Sequence, residues 1–513
     1  MSGPPPGTAS SVTSLTQVSV QLEGDTNDLH SLPLTGSDGG SAIQGDKVED
    51  KIELKEDDWE HDPVNPINWS PARKWIATSL VSLYTFVTPL ASSIMAPGLP
   101  DVAIKYGITN PTVTALTLSI FLLSFALGPL LLAPLSEMYG RVWVLHLGNL
   151  FFLVFNLGCA LSPNVTCLII FRFLAGFAGS APIACGSNVV ADLFVESERA
   201  SAMAIYSLAP LIGIGPIMGG FIAESVGVQY VFYVIIAICG VAAVLGIPLL
   251  RETYAPVIRL RRDKIRLDPE NSATEHPTLT PHNMDGWAYI WINLQRPFIL
   301  FTRSFICFIL SLYMSLMYGI YYLMFATFPS LFSDVYHFSI GMGGLAYIGV
   351  GLGFVFSAIV GAQLSNKIYV YLANRNGGKG KPEMRVPALI FGSLFVPVGI
   401  LWYGWSAQAH LHFMMPIVGT AIFGFGIMTT FLPIILYIVD TFTYGASAVS
   451  ATYVSRSLLG FAFPLFGEQM FAALGYGGGN SLLAGLAIVI GIPFSVWIYY
   501  AGERIRANSP LAR

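Results

Sequence analysis

Residues 203–223 read MAIYSLAPLIGIGPIMGGFIA. No side chain in that run carries a charge. As a helix at about 1.5 Å per residue it would cover about 30 Å, the thickness of a bilayer's hydrocarbon core. Yet the run contains Gly213, Gly215, Pro216, Gly219 and Gly220, residue types that are among the poorest for a helix interior in water. In lipid the two properties are compatible. Membrane helices lack the usual hydrophobic drive to pair, so small residues bring their backbones together, and neighbouring helices re-satisfy the carbonyl that a proline frees. The run is therefore expected to be a spanning helix with a smooth glycine face against a partner and a kink at Pro216.

Windows of the same kind recur at 75–96, 113–134, 143–161, 168–191 and 230–250. A second set occupies 299–328, 340–364, 386–405, 413–439, 446–474 and 482–501, which makes twelve spans in two sets of six. Composition agrees: of 513 residues 54% are hydrophobic and 11% charged, where a soluble domain carries about a quarter charged residues. The expected fold class is an all-α polytopic membrane protein.

The expected organisation is a disordered tail over 1–72, a six-helix bundle over 73–250, a polar central loop over 251–297, a second bundle over 298–501 and a short tail over 502–513. The first tail is rich in Ser, Gly, Pro and acid and cannot bury a core. No short apolar region with a cleavage site opens the chain, so the first span is expected to act as an uncleaved insertion signal. With the amino end in the cytoplasm, the loops on that side collect Arg73, Lys74, Arg141, Arg199 and the group Arg251 to Arg266, while the opposite loops hold only Lys105. Positive charge on the inside thus puts both termini in the cytoplasm. Asn164 heads a glycosylation sequon in a very short outer loop.

Internal repetition is visible. "APLSEMY" (133–139) after the second span has a counterpart in "AQLSNKIY" (362–369) after the eighth. "GPIMGG" in the fifth span shares its Pro-x-x-Gly spacing with "FPLFGE" (463–468) in the eleventh. Duplicated units of six helices place a substrate cavity between them, near the midplane.

Several stretches together resemble the major facilitator superfamily, specifically its fungal twelve-span drug:proton antiporters, which include polyamine and metabolite exporters. They are "DPVNPINWSPARKW" (62–75), "RFLAGFAGSAP" (172–182), the glycine cluster, "ETYAP" (252–256) and "VDTFTYGASAVSATYVSR" through "FPLFGEQMF" (439–471). The resemblance covers 59–502. It implies that the glycine cluster is the antiporter motif, sealing or bending the fifth span between access states. It also implies a gating signature after the second span, ideally Gly-x-x-x-Asp-Arg-x-Gly-Arg-Arg. Here that signature reads Ala133, Glu137, Met138, Gly140, Arg141 and Val142, so the acid, the turn glycine and one arginine survive. A salt bridge through Glu137 and Arg141 is expected, with fewer partners than usual.

Charge inside the spans is the sharper signal, since an arginine at a helix centre costs about 2.5–3.5 kcal/mol and so faces a cavity or a counter-charge. Arg172 in the fourth span heads an Arg-x-x-x-Gly motif to which the family gives a role in proton coupling, with Gly176 and Gly179 permitting close contact. Asp192 ends that span and is read either as a functional acid or as a static partner of Arg141 or Arg199. Arg456, near the middle of the eleventh span, and Glu468, near its outer end, are candidates for contact with cargo or a proton. Tyr318 and Tyr322, spaced i, i+4, can present one aromatic face to a cavity, with Asn188 and Tyr347 as further lining candidates.

No phosphate-binding loop of the Gly-x-x-x-x-Gly-Lys-Ser/Thr type is present, so ATP is not the expected energy source. No metal-ligand cluster, cofactor or nucleic-acid partner is expected, and the five cysteines read as small hydrophobes within the spans. The expected activity is not enzymatic: export of small organic molecules by proton antiport, with alternating access, from a monomer in the plasma membrane or, as the alternative, the vacuolar membrane. Two intramembrane arginines lean the cargo toward anionic or neutral molecules. The rival readings are a proton-coupled nutrient importer of the same fold and a non-transporting membrane sensor.

Overall fold

A computed structural model describes Trp59, residues 61–195, 198–199, 202–203, 206, 214–267, 286–442 and 445–507, with backbone alone over 263–267. Gly213 and residues 1–58, expected to be disordered, lie outside that set. Among the described residues regular structure is helical throughout. Ten helical stretches are long and apolar enough to cross a membrane. They are Pro71–Tyr106, Pro111–Tyr139, Arg141–Ala160, Val165–Leu193, Gln229–Leu249, Phe305–Asp334, Ile340–Arg375, Pro382–Gln408, Met414–Thr441 and Pro464–Ala507.

The fifth and eleventh spans complete the twelve. Ile214–Val226 is the described part of the fifth. The eleventh begins as Gly445–Ala462 and resumes at Pro464, inside a 44-residue stretch that is helical except at Gly475. Gly475 has φ 70°, ψ 169°, a conformation that only a residue without Cβ adopts freely. The chain reverses there, so 464–474 finishes the eleventh span and 476–507 forms the twelfth.

The side from which the chain runs into the first span is called the near side, and the opposite one the far side. Two features on the near side differ from a plain tail and loop. Residues 61–70 are ordered: Asn65 and Asn68 donate to the Trp59 and Asp62 carbonyls, and a short 3-10 turn forms at Pro66–Asn68. The central segment opens and closes with helices, Ala255–Leu267 and Gly286–Arg303. Asp62 forms an ion pair with Arg262, and the Arg259 guanidinium lies 4.5 Å from the centre of the Trp59 ring. The amino-terminal segment and the central segment therefore share one face. Gly286–Arg303 ends before Ser304, whose hydroxyl caps the seventh span at Cys307, so 299–303 belongs to the near-side helix rather than to the span.

Duplication is visible in the packing. A Cβ on Gly219 would run into the Ile94 carbonyl of the first span, and one on Gly467 would meet Leu323 and Thr327 of the seventh at 3.1 and 3.3 Å. The two Pro-x-x-Gly stretches thus press the fifth span on the first and the eleventh on the seventh, which are equivalent pairs in the two halves.

Candidate functional site

The cavity between the halves has a volume of about 170 Å³ and is walled by the first, fifth, seventh, eighth and tenth spans. Its aromatic wall is Tyr318, Tyr321, Tyr322 and Phe325, with Phe354 packed 5.5 Å from Tyr321 and Phe431 6.5 Å from Tyr318. The Tyr318 and Tyr322 ring centres lie 5.0 Å apart, as their i, i+4 spacing requires, and Tyr321 packs 4.6 Å from Phe325. The Tyr322 hydroxyl meets Ser92 Oγ at 3.0 Å, which joins the halves across the cavity. Gly215 and Pro216 form the fifth-span wall.

Arg456 stands behind this wall. Ser311 and Ser315 of the seventh span bond Thr452 and Ser455 of the eleventh at 2.8 and 2.9 Å. This polar seam fixes the next residue, Arg456, at the level of Tyr318. Its guanidinium lies 4.8 Å from the Tyr318 ring centre and 4.1 Å from that of Tyr453. Its Nε–H is buried and meets no acceptor among the described residues. Ring faces stabilise the charge but leave its hydrogen bonds unspent.

Arg172 is used differently. Fully buried, about 10 Å below the far-side start of its span, it donates to the Ala91 carbonyl at 2.8 Å, to Thr117 at 3.2 Å and to Leu118 at 3.5 Å. Its guanidinium also sits over the Phe121 ring. Carbonyl oxygens of the first and second spans, rather than a carboxylate, meet the charge. Gly176 lets the fourth span close on Phe121 and Ser124, and Gly179 on Phe152 and Thr88. The motif is a three-helix clamp.

On the far side the halves touch through glycine. A Cβ on Gly220 would lie 2.9 Å from the Ile340 carbonyl and 3.0 Å from Gly344 Cα, both in the eighth span. Next to this contact Glu224 accepts the Gly341 N–H at 2.9 Å, and a second far-side link runs from Gln469 of the eleventh span, which donates to Thr112 of the second at 2.7 Å. Glu468 lies on a separate far-side cavity of about 230 Å³, where it accepts the Ser330 hydroxyl at 2.9 Å.

On the near side Arg141 pairs with Asp192 at 3.4 Å, and Thr253 Oγ1 donates to the same carboxylate oxygen at 3.4 Å. Of the two readings of Asp192, the ion pair with Arg141 is present. Glu137 does not pair with Arg141: it accepts the Tyr289 hydroxyl at 2.9 Å. Burial, and then the Glu137 carboxylate, push that hydroxyl well above its usual range, so it stays a donor. Glu252 is the acid that the sequence did not single out. It accepts the backbone N–H groups of Arg141 and Val142 at 2.9 and 3.3 Å, an anion on the N-terminus of the third span. Gly140 at φ 104° makes room, since a Cβ there would strike the carboxylate. Replacing Glu252 by Gln is expected to lower stability by about 0.3–2 kcal/mol, read as a lower unfolding temperature. The other half repeats the pattern: Arg385, at the head of the ninth span, bonds Asp440, at the end of the tenth, at 2.6 Å.

Two cavity candidates, Tyr347 and Asn188, stand away from the cavity wall, and the glycosylation candidate Asn164 has a local role. Tyr347 is buried, and its hydroxyl is spent on the Phe325 carbonyl at 2.9 Å. Asn188 folds back on Ala184 of its own helix. Asn164 Oδ1 caps the fourth span by accepting the Cys167 N–H at 2.9 Å. Tyr321, an aromatic of the same 313–325 stretch but outside the i, i+4 pair, is a wall residue as well.

The sequence profile of the Major Facilitator Superfamily matches residues 81–464. The chain is 40% identical over 457 residues to the efflux pump radE of Floropilus chiversii, covering 88% of this chain and 85% of the relative. It is 42% identical over 458 residues to the MFS-type transporter hepF of Aspergillus oryzae (88% and 93%) and 39% identical over 497 to the efflux pump vrtL of Penicillium aethiopicum (96% and 97%). In fold it is similar to the solved structure of a D-xylose-proton symporter, with TM-score 0.60 and 13% identity over 83% of this chain and 97% of that one. The chain belongs to the Major Facilitator Superfamily, in its group of fungal efflux transporters, and is a multi-pass membrane transporter.

Proposed function

We propose that the protein exports small organic molecules, anionic or neutral, from the cytoplasm by proton antiport, with both termini cytoplasmic and the near side facing the cell interior. The observation that carries this reading is Arg456, a guanidinium with an unspent donor beside an aromatic cavity between the two halves. An aromatic molecule bearing an acidic group suits that pairing of flat apolar walls and one cation. At about 170 Å³ the cavity is below the ~300–1,000 Å³ of drug-sized sites, so cargo enters only when the halves part.

The named efflux pumps among the relatives support outward transport. The near-side excess of Lys and Arg supports the orientation. The plasma membrane is the proposed location, and one charge crossing 100 mV supplies about 2.3 kcal/mol there. In this reading Gly220 forms the far-side seal, and Gly215 and Gly219, with Pro216 between them, pack the fifth span on the first so that the two rock together. Glu137, Arg141 and Asp192 hold the near-side gate, Arg172 couples it to the spans it clamps, and Glu468 is a far-side carboxylate available to protons. The deciding experiment compares efflux of organic acids and xenobiotics from cells with and without the protein, repeated with a protonophore. Expression is expected to lower retained organic acid, and the protonophore to abolish the difference. Proton-driven uptake without efflux would overturn the proposal in favour of an importer.

A further inference from the structure

Two apolar grooves lie on the outer walls of the halves, at equivalent places. One, of about 650 Å³, runs between the second, third and fourth spans over Leu135, Leu147, Phe151 and Phe177. Its counterpart, of about 730 Å³, runs between the eighth, ninth and tenth over Leu352, Phe356, Phe395 and Phe425. Trp143, Leu147 and Phe151 are about half exposed in the first, so acyl chains are the solvent that covers them. Shape and apolarity are shared; charge is not. The counterpart has no charged residue in its lining, whereas Arg261 closes the near-side end of the first.

Arg261 is set apart from Arg259 and Arg262, the other cations of its helix with described side chains. Arg259 and Arg262, three residues apart, turn together onto Trp59 and Asp62. Arg261 turns the other way, over the end of the second span, where Nη2 donates to the Tyr139 carbonyl at 3.2 Å. Its Nε–H is buried with no acceptor among the described residues. Tyr139, Trp143 and Arg261 together put a cation, half-committed, at the height where the third span enters the apolar layer. A planar guanidinium there matches a phosphate diester, whose two free oxygens accept parallel donors.

We propose that this groove is a binding site for one anionic phospholipid of the near-side leaflet, with its phosphate on Arg261 and an acyl chain along Leu135, Leu147 and Phe151. Arg261 is tied to Tyr139, next to Gly140 and Arg141, so an occupied site would brace the near-side gate from the lipid side. The equivalent groove of the other half takes acyl chains without regard to headgroup.

Trp143 reports on the site. The full-length protein is reconstituted in phosphatidylcholine bilayers holding a minor fraction of either phosphatidylserine or phosphatidylcholine with brominated acyl chains. Quenching of Trp143 is isolated by subtracting the Trp143→Phe variant. Brominated phosphatidylserine is expected to quench Trp143 at about fivefold lower fraction than brominated phosphatidylcholine, the preference one surface cation confers. Arg261→Gln is expected to remove that preference and leave quenching by both lipids at the lower level. Equal quenching by the two lipids in the wild type overturns the proposal, whether or not the variant folds. A preference unchanged in Arg261→Gln overturns it as well.

Discussion

Gly220→Leu is expected to fold and reach the membrane but to lose at least about tenfold in transport, an energy of about 1.4 kcal/mol or more against closing the far side. The glycine lies within 3.0 Å, measured from where its Cβ would be, of backbone atoms of Ile340 and Gly344, which cannot swing aside as a side chain can. Those atoms belong to the other half. A side chain here therefore leaves the amino half intact and wedges the two halves apart. Gly219→Leu makes the contrast, since its would-be Cβ strikes the Ile94 carbonyl within the same half. That variant is expected to give little folded protein. Size-exclusion profiles of detergent extracts separate the two outcomes, and efflux assays then grade whatever folds. Similar behaviour of the two variants would contradict the assignment of one glycine to packing and its neighbour to the seal.

Arg172→Ala is expected to cost about 3 kcal/mol or more of stability, because it deletes a large buried side chain and charge-assisted hydrogen bonds at once. Three carbonyls on two helices lose their shared donor. Arg172→Met refills most of the volume without the charge. Expression and unfolding temperature recover in part with Met if the clamp is mainly packing. Transport is expected to stay low in both variants, because no other side-chain donor among the described residues bridges the first and second spans. Full transport by the Met variant would remove Arg172 from the mechanism.

Arg456 gives a different pattern. Arg456→Lys keeps a cation near Tyr318 and Tyr453 but loses the planar fork, so efflux of an organic acid is expected to fall about tenfold while a neutral substrate changes little. Equal losses for both would mean that the arginine packs the seam and does not read charge.

Much of this was readable before any coordinates. Long uncharged windows fix the spans because the bilayer allows no other backbone solution. The i, i+4 pair Tyr318 and Tyr322 does share the cavity wall, since helical spacing alone puts the two on one face. Pro-x-x-Gly spacing falls on a tight helix contact in both halves. Gly219 faces the Ile94 backbone, which leaves no room for a Cβ, and Gly467 faces the Leu323 and Thr327 side chains, where the fit is looser.

What the sequence hid are relations across long separations. Glu252 reaches the third span's first N–H groups 111 and 110 positions away, and although it heads the "ETYAP" stretch, nothing local says what its carboxylate meets. Periodicity does not give a helix its rotation within the bundle, and so Tyr347 and Asn188 read as lining candidates although both are turned to other partners. Glu137 chose Tyr289 over Arg141 because the near-side helix Gly286–Arg303 packs under the second span, and a polar stretch in sequence does not announce that position.

In the proposed cycle the two halves rock about the aromatic chamber, sealing one side as the other opens. Paired spin labels test it most directly, one pair at positions 226 and 342 on the far side and another at 139 and 371 on the near side, all exposed in this structure. Under an imposed proton gradient with an organic acid present, the far-side distance is expected to gain a longer population while the near-side distance gains a shorter one. Distances that stay fixed under every condition, or that lengthen together on both sides, would contradict it.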